Sequence, residues 1–138
     1  MLDETTEFGS RAARRLREDI IGWLTTVSPD RAPQPIPIWF LWDGARSMLV
    51  YSRRGMRKLR NIATNPKVSL NLDSDRVDAD IVICWGEIRV SDDPPATEVP
   101  EYVEKYAERI AALGWTPESF AVDFSVPLRI DLTRIHGW

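Results

Sequence analysis

Gln34-Pro35-Ile36-Pro37-Ile38-Trp39-Phe40-Leu41-Trp42 reads as one apolar strand that carries its own restriction. Pro33, Pro35 and Pro37 occupy alternate positions, so they share one side of an extended chain. Proline has no N–H to give to a ladder. The strand over 34–42 is therefore expected at a sheet edge, or against something that is not a strand. It is very apolar for an edge. Two uses stay open: a core and interface strand, or a wall for a planar ligand whose ring edge is read by unpaired backbone groups.

Other strands follow on either side. Residues 21–27 alternate Trp23, Thr25 and Val27 against Leu24 and Thr26, the period of a strand. Ser28-Pro29-Asp30-Arg31 has the composition of a tight turn, and Asp43-Gly44 that of a hairpin. Strands are expected over 48–52, 67–72 and 81–90, with an acidic loop, 73–80, between the last two. The final strand is expected over 126–132. Helices are expected over 10–19, 56–64, 100–113 and 117–124, the third from Tyr102, Val103, Tyr106, Ile110 and Leu113 at helical spacing. Short connections demand antiparallel pairing, and about six strands at this length suggest a small barrel with inserted helices. Strands and helices do not alternate, which disfavours a doubly wound sheet.

The chain has 138 residues, enough for one domain (1–138) and too few for two. Net charge is −3, which gives no general attraction for nucleic acid. The single cysteine, Cys84, lies in an apolar run and reads as a small buried hydrophobe. The single histidine, His136, falls near the last residue, so neither a His-based metal centre nor a Ser-His-Asp triad is expected. No apolar run approaches the ~18 residues of a membrane span. Residues 1–9 are acidic and lack a secretory core, which points to the cytoplasm.

Tyr51-Ser52-Arg53-Arg54-Gly55-Met56-Arg57-Lys58-Leu59-Arg60-Asn61 carries the chemistry. It runs from a strand end through a glycine turn into a helix start, with five cationic side chains within eight residues. Helix N-termini point unpaired N–H groups and a positive dipole end outward. Arg57 can grip a phosphate in two-pronged fashion, Lys58 supplies a point charge, and Ser52 a hydroxyl. The glycine spacing is not that of a Walker loop. A solvated basic turn is the plainer alternative. The cluster Arg11, Arg14, Arg15 and Arg17 reads as a solvated face or as a landing strip for an anionic tail. Six tryptophans suit interfaces and planar ligands, although any one of them suits a core equally.

The order of these features resembles the pyridoxamine-phosphate-oxidase-like, split-barrel flavin-binding superfamily, and within it the actinobacterial branch of deazaflavin (coenzyme F420)-dependent enzymes. The resemblance is carried by Trp23-Leu24-Thr25-Thr26-Val27-Ser28-Pro29-Asp30, by 33–44, by Tyr51-Ser52 and by Lys58-Leu59-Arg60-Asn61-Ile62-Ala63-Thr64-Asn65-Pro66. The ending Thr133-Arg134-Ile135-His136-Gly137-Trp138 is similar as well. It implies a mainly β (α+β) class: a six-stranded antiparallel split β-barrel with peripheral helices, assembled as a homodimer with two cofactor sites at the subunit interface. The ring would lie along Gln34, Ile36, Pro37, Ile38 and Trp39. The phosphate turn would use Ser52, Arg53, Met56, Arg57, Lys58 and Asn61. The partner subunit would add groups near Trp85, Arg129 or Trp138. The turn Arg53-Arg54-Gly55 is more basic than the family's usual one; the extra cations suit a longer anionic tail such as oligoglutamate, or are solvated.

The implied activity is a coenzyme F420-dependent oxidoreductase that passes hydride to a small conjugated substrate. FMN is the alternative cofactor. A non-catalytic cofactor or tetrapyrrole binder is a third reading, for which only His136 and Cys84 offer haem ligands. A nucleic-acid adaptor built on Arg11–Arg17 is the weakest. No residue is marked as the general acid; Tyr51 and His136 are the candidates weighed.

Overall fold

The computed structural model describes residues 1–74 and 79–138. The stretch 75–78, half of the acidic loop, lies outside the described residues. The chain runs α1 (Glu7–Glu18), β1 (Gly22–Val27), β2 (Pro33–Ile38), β3 (Leu41–Trp42), β4 (Ser47–Ser52), α2 (Arg57–Thr64), β5 (Lys67–Asn71), β6 (Val82–Val90), a short turn of 3-10 helix (Ala96–Glu98), α3 (Pro100–Ala112), α4 (Pro117–Asp123) and β7 (Val126–Gly137). All strand pairs are antiparallel, in the order β2-β1-β5-β6-β7-β4-β3.

That order corrects the expectation of six strands. There are seven among the described residues, because 34–42 is not one strand. It breaks at Trp39-Phe40 into β2 and β3, which form the two opposite edges of the sheet. Only two residues join those edges, so Ile38 and Leu41 are no more than about 11 Å apart along the chain. A flat sheet of this width cannot meet that condition. The sheet curls until its edges approach each other, and the break is the seam of the curl. The prolines are where an edge tolerates them: Pro33, Pro35 and Pro37 lie on β2, opposite Val27, Thr25 and Trp23, with no strand on the far side.

At the seam the backbone of Phe40 belongs to neither ladder, and the residue is fully buried. α3 supplies the missing partners. The Phe40 N–H donates to the Tyr106 hydroxyl at 2.8 Å, and Lys105 Nζ donates to the Phe40 carbonyl at 2.8 Å. The Tyr106 hydroxyl in turn donates to the Ile20 carbonyl, also at 2.8 Å, with the Phe40 carbonyl at 3.0 Å. The Lys105 ammonium sits 3.9 Å from the Phe40 ring centroid, and burial pulls its pKa down to about 8, against the opposing pull of Asp19.

Two cores result. Inside the curl pack Leu24, Val50, Leu70, Val82, Cys84 and Leu128, with Ala12, Ala13 and Leu16 of α1 against them. Burial raises the Cys84 thiol to about 12, as suits a residue that serves as packing. The second core lies outside the curl, where Leu49 and Tyr51 of β4 meet Tyr102, Tyr106, Ile110 and Phe120. β7 runs to Gly137, five residues beyond the expected end, because β6 pairs with it throughout. A bulge at Trp85/Gly86 permits this; a Cβ on Gly86 would lie 2.5 Å from the Asp131 carbonyl oxygen.

Much of the basic face of α1 is paired within the chain, while Arg14 is exposed. Arg11 donates to Asp80 at 2.8 Å, Arg15 to the carbonyls of Asp80 and Asp73 at 2.6 and 2.5 Å, and Arg17 to Glu4 at 3.2 Å. Three of its four arginines therefore tie α1 to its surroundings. Among the described residues, no helix is long and apolar enough to cross a membrane.

Tyr106→Phe keeps the ring packing and leaves the buried Phe40 N–H without a partner. It is expected to lower unfolding free energy by about 1–3 kcal/mol at unchanged denaturant slope, measured by urea titration.

Candidate functional site

β4 ends at Ser52, and the chain turns through Arg53–Met56 into α2. Gly55 makes the turn possible by taking φ +71°, a left-handed conformation costly to other residues. Met56 occupies the N-cap and offers no side-chain hydrogen bond, and the first turn of α2 contains no acidic residue. Arg57 and Lys58 stand there instead. This reverses the charge order a helix prefers: each cation at the positive end of the dipole costs about 0.3–1 kcal/mol. Burial, and then the charge of Arg53, lower the Lys58 pKa.

α2 is held from below by Asn61, whose amide Nδ2 donates to Thr26 Oγ1 at 2.9 Å and to Gln34 Oε1 at 2.8 Å. This links the helix to both β1 and β2 and sets the basic turn beside the seam.

A cavity of about 380 Å³ opens there. One side is β2 and the seam, with Ile36, Pro37, Ile38 and Trp39; the turn contributes Arg53, Met56 and Lys58. The far side comes from α3 and α4, with Tyr102, Arg109, Trp115 and Phe120. Trp39 stacks on Tyr106 at 4.6 Å and 6°, and lies 5.4 Å from Phe120, so its ring is packed against two aromatic neighbours. The walls are mostly apolar and aromatic, with Arg53, Lys58 and Arg109 as cations. Such a lining is complementary to a flat conjugated molecule that carries negative charge.

Of the residues expected from sequence, Ile36, Pro37, Ile38, Trp39, Arg53, Met56 and Lys58 meet in this cavity. The others stand elsewhere. Gln34 and Asn61 are joined to each other, and their amides face inward. Ser52 is fully buried and its hydroxyl donates to the Arg53 carbonyl at 2.8 Å, so it does not point at an incoming anion. Arg57 is exposed on the first turn of α2. Arg53 pairs with Asp123 at 2.9 Å and covers the Phe124 ring at 4.7 Å. Trp85 is not part of the cavity wall; it lies on β6, under Arg134 at 4.8 Å. Arg129 is bound to Asp93 at 2.7 Å.

The contribution of α3 and α4 was missed. The helical spacing of Tyr102, Tyr106 and Ile110 was legible, but a core stripe and a cavity wall have the same period. The signal was the chemistry of the stripe: two tyrosines where a core needs only hydrocarbon, then Trp115, Phe120 and Phe124 close behind.

Neither candidate proton donor has a free acid in the cavity. The Tyr51 hydroxyl donates to the Pro94 carbonyl at 2.5 Å, and burial followed by Asp93 raises it to about 12. His136, on β7, stands opposite Ile83 of β6 and is not in the cavity wall. Among the described residues, no group of three or more His, Cys, Asp or Glu could hold a metal ion.

The model of the family described as pyridoxamine 5'-phosphate oxidase matches residues 9–138. Several solved structures share the fold. General Stress Protein 26 from Bacillus anthracis is 20% identical over 92% of this chain and 90% of its own, with a TM-score of 0.69. An F420 reductase is 23% identical over 89% of this chain and 94% of its own, at 0.67. The heme storage protein HutZ from Vibrio cholerae is 16% identical over 90% of both chains, at 0.63. No curated protein matches the chain.

Replacing Lys58 with methionine removes a half-buried cation from the wrong end of α2 at nearly constant volume. In low-salt buffer without added anions, Lys58→Met is expected to stabilise the protein by roughly 0.3–1 kcal/mol, read as a rise in Tm.

Proposed function

The chain belongs to the pyridoxamine 5'-phosphate oxidase family, and from that premise we propose that it is a deazaflavin (coenzyme F420)-dependent oxidoreductase acting on a small conjugated substrate. The observation that carries the reading is the start of α2: uncapped, without acid, crowded with cations, and opening onto an aromatic cavity. Nothing in the folded chain offsets that charge at Lys58, which forms no ion pair or hydrogen bond among the described residues. A bound phosphate would offset it, accepting from the N–H groups of the first turn and from Lys58.

The cofactor, when bound, supplies the hydride chemistry. The chain's part is to bind, orient and keep water away. Lys58, with Arg57 beside it, would hold the phosphate end. Ile36, Pro37, Ile38 and Trp39 would lie along the ring, and the packing of Trp39 against Tyr106 and Phe120 would help to fix the ring's plane. The hydrophobic walls would exclude water from the reacting face. The proton that balances hydride addition would come from solvent, since the Tyr51 hydroxyl is committed to Pro94.

The deazaflavin is preferred to FMN on charge. Arg54 and Arg57 are exposed, have no ion-pair partner among the described residues, and would be available to an anionic tail longer than one phosphate. FMN is the second reading. A haem role is disfavoured because Cys84 is fully buried in the other core and His136 lies on β7 outside the cavity. We also propose a homodimer, in which a second copy completes the site and brings Trp85 or Trp138 towards it.

Fluorescence titration of ligand-free protein with coenzyme F420 and, separately, FMN tests the reading. F420 should bind with micromolar or tighter affinity, and Lys58→Ala should weaken it by roughly 10-fold or more. Preference for FMN would transfer the assignment to an FMN oxidase or reductase, and binding of neither would end it. Light scattering should give twice the mass of the chain; a monomer at micromolar concentration would remove the proposed dimer.

A further inference from the structure

The sequence contains three tyrosines, Tyr51, Tyr102 and Tyr106, and the fold gathers all three into one aromatic cluster. Two of the hydroxyls are engaged: Tyr51 with the Pro94 carbonyl, Tyr106 with Phe40 and Ile20. The third is not. Tyr102 is 1% exposed, and its hydroxyl is the buried side-chain polar atom left without a hydrogen-bond partner among the described residues. An orphaned hydroxyl is costly, and a phenylalanine would pack the same ring against Tyr51, Tyr106 and Phe120 without that cost. No neighbouring hydroxyl stands within hydrogen-bond geometry of it among the described residues.

The location of this orphan gives it a use. Tyr102 is part of the wall of the cavity that Trp39 and Phe120 flank and that Lys58 adjoins. We propose that the Tyr102 hydroxyl is reserved for the bound molecule, donating a hydrogen bond to a ring carbonyl oxygen of a flat conjugated heterocycle lying in this cavity. The inference rests on the reading of the cavity as a cofactor site and adds a recognition residue to it. Burial raises the Tyr102 pKa well above its ordinary value, so the group stays a neutral donor at any working pH. Because no hydrogen bond anchors the hydroxyl where it stands, rotating its O–H bond, with a small shift of the ring, towards an entering acceptor breaks none. The free protein tolerates the orphan and the loaded one satisfies it, so the cost of the empty state becomes part of the affinity.

The phosphate turn and Tyr102 act on different parts of the ligand, so two probes separate them. Lumichrome has the flat tricyclic ring with its carbonyls and no phosphate; inorganic phosphate has the anion and no ring. Both are titrated against the wild-type protein, Tyr102→Phe and Lys58→Ala, lumichrome by fluorescence and phosphate by its effect on Tm. Tyr102→Phe should weaken lumichrome roughly 3–10-fold and leave the phosphate response intact. Lys58→Ala should abolish the phosphate response and leave lumichrome unchanged. The unliganded Tyr102→Phe variant should melt at or above the wild-type temperature. An unchanged lumichrome affinity in Tyr102→Phe overturns the proposal. So does a lower Tm of that variant without ligand, since the hydroxyl would then already have a partner, and so does failure of lumichrome to bind the wild type. If Lys58→Ala leaves the phosphate response intact while Tyr102→Phe weakens lumichrome, the phosphate reading fails and the role of Tyr102 stands.

Discussion

The Tyr106 hydroxyl at the backbone of Phe40 is the contact on which the rest of the molecule turns. Two residues carry the chain from one edge of a seven-stranded sheet to the other. Their peptide groups cannot belong to either ladder, yet Phe40 is buried, where an unpaired N–H or carbonyl is expensive. A helix that arrives some sixty residues later resolves this with adjacent side chains: Tyr106 accepts from the Phe40 N–H, and Lys105 donates to its carbonyl. The curl of the sheet and the docking of α3 are thereby one event. Each supports the other: α3 satisfies backbone groups that it covers at the seam, and the seam gives two polar groups of α3 partners away from water.

The same contact builds the candidate site. Trp39 stacks on the Tyr106 ring whose hydroxyl holds the seam, so the wall of the cavity and the closure of the barrel share one side chain. Asn61 performs the corresponding task on the other side, joining α2 to β1 and β2 through Thr26 and Gln34. The cationic turn and the aromatic wall are therefore held to a common frame from two directions. That rigidity matters for a cofactor protein: positioning is most of what such a protein contributes, and it is lost when supporting contacts are loose.

Much of this was legible in the sequence, and the failures have physical causes. Period-two alternation and turn residues located six strands, and Pro33, Pro35 and Pro37 marked an edge correctly, because proline's missing donor is a local fact. The break at Trp39-Phe40 was not legible. Both residues are good strand formers, and what stops the strand is a partner far along the chain. The over-short β7 has a similar origin, since its last residues are held by pairing with β6 across a bulge. At the site, the charge density and glycine of 53–58 marked the cationic turn that leads into α2. Sequence could not show that Ser52 would turn its hydroxyl inward, because a rotamer is decided by the cavity around it. Nor could it separate a core stripe on α3 from a cavity wall.

Family membership fixes the frame and leaves the ligand to local chemistry, as the spread of neighbours from an F420 reductase to a heme storage protein illustrates. Within that frame this chain carries a pair of unrelieved costs. Cations crowd the positive end of α2 without cap or acid, and a tyrosine hydroxyl lies buried without a partner. Each lowers the stability of the free protein, and a better-folding alternative is available at either position by a small change of side chain. Lys58 and Tyr102 both belong to the wall of the same 380 Å³ cavity. One cost is offset by negative charge and the other by a hydrogen-bond acceptor, and a phosphorylated, carbonyl-bearing ring brings both. Strain distributed at random through a domain would not converge on one cavity with one complementary chemistry, and it is this convergence, more than the fold, that argues for a ligand of that kind.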